Sequence, residues 1–201
     1  FPETSYSFDN SHVAIQTLGH LAKTSRQVFD DSGTLNAFLT TELLQGLEEE
    51  QQNQILNGTA SNSELDGLLA NATAYSLQSP QLTDKADILR DAMRQIEVAD
   101  FNPTAIVLHP DDWYSIDTAK ASTSDNSYSA SNPRLIRERI LWGLPVVVTN
   151  DIASGTFLVG DFARAAILFD RQSPRIEISD HDSDNFIKGM VTFRATMRLA
   201  Q

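Results

Sequence analysis

Apolar residues recur at three- and four-residue steps most clearly in DDSGTLNAFLTTELLQGLEEEQQNQILNG, where Leu35, Phe38, Leu39, Leu43, Leu47 and Ile55 carry the repeat. That is the period of an amphipathic helix. Asp31, Ser32 and Thr34 are candidate N-caps and Asn57-Gly58 is a stop, so the pattern predicts one helix over about 33–57. At about 1.5 Å per residue it is on the order of 35 Å long, enough to cross a domain. Its Glu48–Glu50 run reads as a solvated face, because three consecutive helical residues point in different directions.

Ahead of this helix, SHVAIQTLGHLAKTSRQVF reads as a strand carrying Val13 and Ile15 that gives way to irregular or helical structure. Behind it, GTASNSELDG (58–67) is polar and turn-rich and marks a domain crossing. A second amphipathic helix is predicted in TDKADILRDAMRQIEVADF, capped by Thr83 or Asp84, striped by Ile88, Leu89, Ala92, Met93 and Ile96, and ended by Asn102-Pro103. TAIVLHP has the pattern of a short buried strand, with a short helix in DDWYSIDTAK after it. Ala121 to Asn132 is a Ser-rich polar stretch predicted to be a mobile loop.

In ILWGLPVVVTNDIASGTFLVGDF, Leu141 to Thr149 is a strand interrupted by Gly143 and Pro145. Pro145 has no N–H for a ladder, which predicts an edge position or a bulge. Gly155 turns the chain into a second strand, TFLVGDF. Farther on, Ile176 and Ile178 alternate, and Phe186, Met190 or Val191, and Phe193 follow a polar turn, the pattern of a hairpin or long strand pair. Helix, buried strand and helix in this order make a compact α/β core, with no internal repeat.

The totals narrow the function. The chain of 201 residues can form one large domain or two small ones. Its opening Phe1 and its stop at MRLAQ in mid-pattern are those expected of a piece of a longer or processed protein. The absence of cysteine removes disulfides, thiol nucleophiles and thiolate metal sites, and fits a reducing compartment. No apolar run approaches the ~20 residues of a membrane span. A formal charge of −12, from 27 acidic and 15 basic residues, opposes direct binding to nucleic-acid phosphates. The densest basic run, RLIRER with Arg134, Arg137 and Arg139, reads as a solvated or interface-paired face rather than an anion site.

Candidate chemistry is sparse. HPDDW (His109, Asp111, Asp112) and HDSD (His181, Asp182, Asp184) have the residue types of a zinc or iron site or an acid–base pair. Both stretches fall where turns and helix caps are expected, and Asp and His serve local hydrogen bonding there. His12 and His20 are isolated, and GTFLVGD lacks the Lys and Ser or Thr of a phosphate loop. The residues assemble no active site, so no catalytic, metal or cofactor residue is assigned.

Six blocks carry a family resemblance: SRQVFDD (25–31), QILNG (54–58), IVLHPDDW (106–113), WGLPVVVT (142–149), GTFLVGDF (155–162) and DNFIKGM (184–190). In this order and spacing they resemble the major capsid protein of tailed double-stranded-DNA bacteriophages, whose fold is shared by encapsulin compartments. The resemblance implies an α+β structural shell protein without catalytic activity. In it the long helix is a spine helix of a peripheral domain, residues 1–58 with 173–201, and residues 59–172 form an axial domain. It also implies copies of the chain in pentamers and hexamers, with a portal, a scaffold or a maturation protease as partners. The shell would enclose DNA without sequence-specific binding, make no contact with a membrane, and be assembled in a bacterial host. The family's N-terminal arm and most of its extended loop are not matched, PETSYSF (2–8) corresponding at most to the loop's end.

Some members of that family join subunits by an isopeptide bond between a loop Lys and a strand Asn, promoted by a Glu. The match of DNFIKGM and MRLA puts the Asn position at Gly189 and the Glu position at Thr196, so cross-linking is not expected here. The rival readings are an encapsulin-type shell and a metal-dependent hydrolase using His109 or His181.

Overall fold

A computed structural model describes residues 12–31, 33–61, 63–77, 82–119 and 139–201. The predicted loop 121–132, Arg134, Arg137 and PETSYSF lie outside the described residues. The chain divides into two compact units, residues 1–51 with 168–201 and residues 52–167.

The first unit is built on a three-stranded antiparallel sheet of β1 (Gln16–Ser25), β6 (Phe169–Ser179) and β7 (Met190–Ala200), in the order β1-β7-β6. In β7, Val191, Phe193, Ala195, Met197 and Leu199 are buried and Arg194 and Arg198 exposed, the alternation failing at Thr192 and Ala200, which are buried too. A period of two places each set on its own face of the strand. Each fully buried large side chain, such as Phe193, contributes about 1.5–3 kcal/mol relative to exposure. β1 pairs with β7 without a break from Gln16 opposite Leu199 to Ser25 opposite Met190. The edge strand β6 slips register twice, between Asp170 and Gln172 and between Gln172 and Arg175. Pro174 falls in the second slip, at an edge, where a missing N–H costs no ladder bond.

α1 (Arg26–Asp31) follows β1 directly and sets Phe29 edge-on against Phe193 at 5.7 Å between ring centroids. The long helix α2 runs over Gly33–Asn57, where the periodicity predicts it. Leu43 and Leu47 are its buried residues in this unit. Phe38, expected in the same stripe, is instead 56% exposed. Glu48, Glu49 and Glu50 are exposed. Val13 and Ile15, expected in a strand, precede β1 and are exposed.

In the second unit, α2 ends at a closed turn. Thr59 bridges to Asp66, and the Gly67 N–H donates to the Gly58 carbonyl at 3.0 Å. A Cβ on Gly58 would lie 2.3 Å from the Leu65 carbonyl oxygen, and one on Gly67 2.4 Å from the Gly58 nitrogen. Backbone meets backbone here, so only glycine fits. The short α3 (Leu68–Asn71) comes next. α4 (Lys85–Val98) opens on Asp84, whose carboxylate accepts from the Ala86 N–H at 3.0 Å. Of its predicted stripe, Leu89, Ala92 and Met93 are buried and Ile88 and Ile96 half-buried.

A four-stranded mixed sheet follows, in the order β3-β4-β2-β5: β2 (Ala105–Leu108), β3 (Ile140–Leu141), β4 (Leu144–Val148) and β5 (Phe157–Gly160). The predicted buried strand TAIVL is central, parallel to β4 and antiparallel to β5. The stretch expected as one interrupted strand from Leu141 is a tight hairpin, with Trp142 at φ 52° and Gly143 at φ 82° in its turn. Pro145 does not lie on an edge strand. It faces only Ile140 of the two-residue β3, one residue before the ladder to β2 begins at Val146, so its missing N–H interrupts no bond to the central strand. Leu89 and Met93 of α4 and Ile116 of α5 (Pro110–Asp117) pack with Ile106, Leu108 and Val146 as the core. The short α6 (Phe162–Ala165) closes the unit. In the first unit, Phe186 is not in a strand: it belongs to α7 (Asn185–Lys188), the short helix between β6 and β7, and is 75% exposed.

Candidate functional site

The two stretches with metal-site composition are engaged otherwise. His109 caps α5, its ring Nδ1 accepting from the Asp111 N–H at 3.2 Å. Asp111 points to solvent, with a side chain 80% exposed. Asp112 is buried; one carboxylate oxygen accepts from Lys85 Nζ at 2.8 Å and the other from the Gly155 N–H at 2.7 Å. His109 Nδ1 lies 3.5 Å from Asp111 Oδ2, but both oxygens of Asp112 are taken by Lys85 and Gly155, so the three do not converge on one point. In HDSD, the His181 ring stacks on Phe186, Asp182 pairs with Lys23 at 2.9 Å and Asp184 pairs with Lys188. Among the described residues no three His, Cys, Asp or Glu side chains are grouped to hold a metal ion.

The carboxylates with shifted proton affinity all move in one direction. Burial pushes Asp112 up, but hydrogen bonds from Lys85 and Gly155 outweigh it and hold the group below its ordinary value. Burial likewise pushes Asp91 up and the donors Arg94 and Tyr75 bring it below. Hydrogen bonds from Arg194 lower Glu177, and those from Lys23 and Thr192 lower Asp182. A general acid near neutral pH needs the opposite shift. These groups are fixed anions that clamp segments together. Asp91, for example, takes the Tyr75 hydroxyl at 2.9 Å and Arg94 Nε at 2.9 Å, holding the stretch before α4 to its side.

The turn of the β6–β7 hairpin is the most heavily braced surface feature. Asn185, only 1% exposed, donates to the Thr192 hydroxyl at 2.6 Å, and that hydroxyl donates to Asp182 at 3.2 Å. Arg26 pairs with Asp180 at 2.7 Å, and its backbone N–H donates to the Gly189 carbonyl at 2.8 Å. Gly189 closes α7 in the left-handed conformation, φ 62°. This frame presents Phe186 and Ile187, 75% and 87% exposed. The sequence marked DNFIKGM as a block without showing that Asn185 is its buried anchor. A shallow groove of about 270 Å³ lies between β1 and α2, where His20 faces Gly46, and Glu42 and Glu49 line its wall. It holds no converging set of catalytic groups. The described residues offer braced surfaces and assemble no reaction centre.

The chain matches the model of the phage capsid family over residues 1–201. It is 36% identical over 200 residues to the major capsid protein of Enterobacteria phage HK97, covering 99% of this chain and 51% of that protein. It therefore spans about half the length of that relative. Among solved structures, the capsid of the empty GTA particle computed with C5 symmetry superposes with a TM-score of 0.76 at 15% identity, over 100% of this chain and 76% of that one. A chain from Mycobacterium phage Adephagia gives a TM-score of 0.67 at 13% identity, over 94% and 65%. One from Gordonia phage Cozz gives 0.68 at 12%, over 98% and 73%. The HK97 relative is a major capsid protein and the GTA structure a capsid, and they support neither the encapsulin nor the hydrolase reading. The α+β fold, the order of its elements and the family match over its whole length make this chain a member of the phage capsid family.

Proposed function

We propose that the full-length protein is a major capsid subunit that builds the icosahedral head of a tailed phage or prophage, in pentamers and hexamers of itself. The observation that carries this is the 36% identity to a phage major capsid protein across 99% of the chain. The carboxylates held as structural clamps agree with a protein whose work is packing. An icosahedral shell asks one chain to make many modest contacts in slightly different settings, and braced exposed surfaces serve that better than one deep pocket. The peripheral domain is residues 1–58 with 173–201 and the axial domain residues 59–172. The division of the chain into units that break at 51/52 and 167/168 supports that scheme. The charge of −12 lets DNA pack inside without adhering to the wall. A portal, a scaffold or a maturation protease completes assembly in the bacterial host, and the protein resides in the virion.

Expression of the full-length protein, followed by electron microscopy and light scattering, tests this. Closed shells with five- and six-fold clusters are expected. A protein that stays monomeric under all assembly conditions, with or without the neighbouring phage genes, would contradict it.

A further inference from the structure

We propose that Asn57-Gly58 and Asp66-Gly67 are sites of spontaneous backbone modification, deamidation at Asn57 and isomerisation at Asp66, which the closed turn between them holds shut. They are the only Asn-Gly and Asp-Gly pairs in the chain. A glycine after Asn or Asp has no Cβ to shield its nitrogen, so these two pairs are the chemically weakest points of the backbone. The fold sets them face to face. Thr59 bridges to Asp66, and the Gly67 N–H donates to the Gly58 carbonyl.

The chemistry is shared. The glycine nitrogen gives its proton to water or hydroxide and attacks the preceding side chain's Cγ, closing a succinimide ring. At Asn57 the Cγ–Nδ2 bond breaks and ammonia leaves; at Asp66 the protonated carboxyl loses water. Water then opens the ring at either carbonyl, giving aspartate or, with Cβ drawn into the main chain, isoaspartate. The structure blocks each requirement. The Gly58 N–H is held by the Gln54 carbonyl at 2.9 Å and the Gly67 N–H by the Gly58 carbonyl at 3.0 Å. Asn57 Nδ2, the leaving group, donates to Asn53 Oδ1 at 2.8 Å and to the Asp151 carbonyl at 2.7 Å. Asp66 accepts from Asn71 Nδ2 at 2.7 Å. The ring cannot close from a helical ψ of about −42°, so Asn57 must first leave the last turn of α2.

Burial of the side chains is not what protects them. Asn57 and Asp66 are exposed, whereas Gly58 and Gly67 are buried. Water reaches both reacting carbons, so protection comes from hydrogen bonding and lack of room at the glycines. The turn is braced throughout: Glu64 accepts from the Thr59 N–H at 3.3 Å and the Thr59 hydroxyl at 2.6 Å, and Gln54 Oε1 accepts from the Leu65 N–H at 3.3 Å. A Cβ on either glycine would overlap the opposing backbone. Isoaspartate lengthens the main chain at this same point, so a converted turn cannot reclose. A chain that stays folded keeps both pairs, and one whose α2 end opens is altered for good.

The full-length protein is held at mildly alkaline pH, folded and in guanidinium chloride, and the peptide carrying residues 57–67 is followed by mass spectrometry, with isoaspartate identified by fragmentation. Asn57 should convert at least about a hundredfold more slowly in the folded chain, with hydrogen exchange at Gly58 and Gly67 slowed in parallel. Gly67→Ala, checked for folding by circular dichroism, should convert at Asn57 at least about tenfold faster than the parent, because its Cβ forces the turn open. Thr192→Ala, which loosens the hairpin of the other unit, should leave the rate unchanged. Conversion of the folded parent within about threefold of the unfolded chain overturns the proposal, as does free exchange at the two glycines. Equal acceleration by Thr192→Ala also overturns it, since global unfolding would then set the rate. If Gly67→Ala does not fold, Glu64→Ala, which removes both bonds to Thr59, carries the comparison with an expected gain of about threefold. An unchanged rate in that variant is again a refutation.

Discussion

Asp112 ties three segments of the second unit together: its own helix α5, the first residue of α4 through Lys85, and the turn at Gly155. Its side chain is 7% exposed and both oxygens are used. Burial disfavours the charge, but the two donors outweigh it, so the folded carboxylate binds a proton more weakly than the unfolded one, whose ordinary value is 3.8. Its contribution is therefore present above about pH 4 and is lost as pH falls through the lower folded value. Asp112→Asn keeps the shape but turns an amide N–H toward Lys85 or the Gly155 N–H. We expect a loss of about 2 kcal/mol at pH 7, or roughly 4–8 °C in melting temperature, shrinking below about pH 4 as the parent's own carboxylate protonates. Equal gaps between variant and parent at pH 7 and near pH 3 would contradict this assignment. The sequence showed HPDDW as cap and turn residues, which His109 and Asp111 are. It could not show the burial of Asp112, because Lys85 and Gly155 lie 27 and 43 residues away.

Helix α2 shows what periodicity reads well and where it fails. Its limits were legible because the stop at Asn57-Gly58 is local chemistry and the repeat is long. Its buried face was legible only in the middle. Leu39, Leu43 and Leu47 follow four-residue steps, whereas Phe38 sits about 100° off that line and faces solvent. Nine residues past Leu47, Leu56 is buried rather than Ile55. At about 100° per residue this is the opposite side of the helix, so no single stripe describes its whole length. The hairpin at Trp142-Gly143 was missed for a related reason: positive φ at both positions makes a two-residue turn, but Trp-Gly lacks the usual Asn or Asp signal. The helix prediction is sharp at its centre. Leu43→Asp buries an unpaired carboxylate at a position 3% exposed and should cost several kcal/mol, enough to abolish folding. Glu49→Lys loses only an exposed bond to Gln45 and should change stability by less than about 0.5 kcal/mol. Denaturant melts of the two variants decide it; similar midpoints would mean that α2 is not packed through Leu43.

At the scale of the whole molecule, the fold was legible chiefly through the order of blocks such as WGLPVVVT and DNFIKGM. Composition and periodicity alone reached only a compact α/β core without an evident active site. The same blocks bear on whether copies weld themselves together. By the resemblance, the electrophilic carboxamide would stand at Gly189 and the promoting carboxylate at Thr196. Gly189 has no side chain, and its left-handed φ of 62° closes α7. Thr196 lies in mid-strand between Gly19 and Arg175, neither of which is an acid. The nearest substitute, Asn185, is buried, with its amide donating to Thr192 and its carbonyl oxygen 3.5 Å from Lys23 Nζ. Asp184 is held by Lys188. Freeing either would break the brace of the hairpin, and a group displaced along the chain by four or more residues misses a geometry that tolerates about an ångström. Shells of the full-length protein, matured and boiled in detergent, should therefore run as a single band at monomer mass on a denaturing gel. A ladder of covalent multimers would overturn this and require a nucleophile and an electrophile other than those the family pattern names. With a single band, the shell is held by non-covalent contacts alone, and its resistance to salt and heat becomes a direct measure of those contacts.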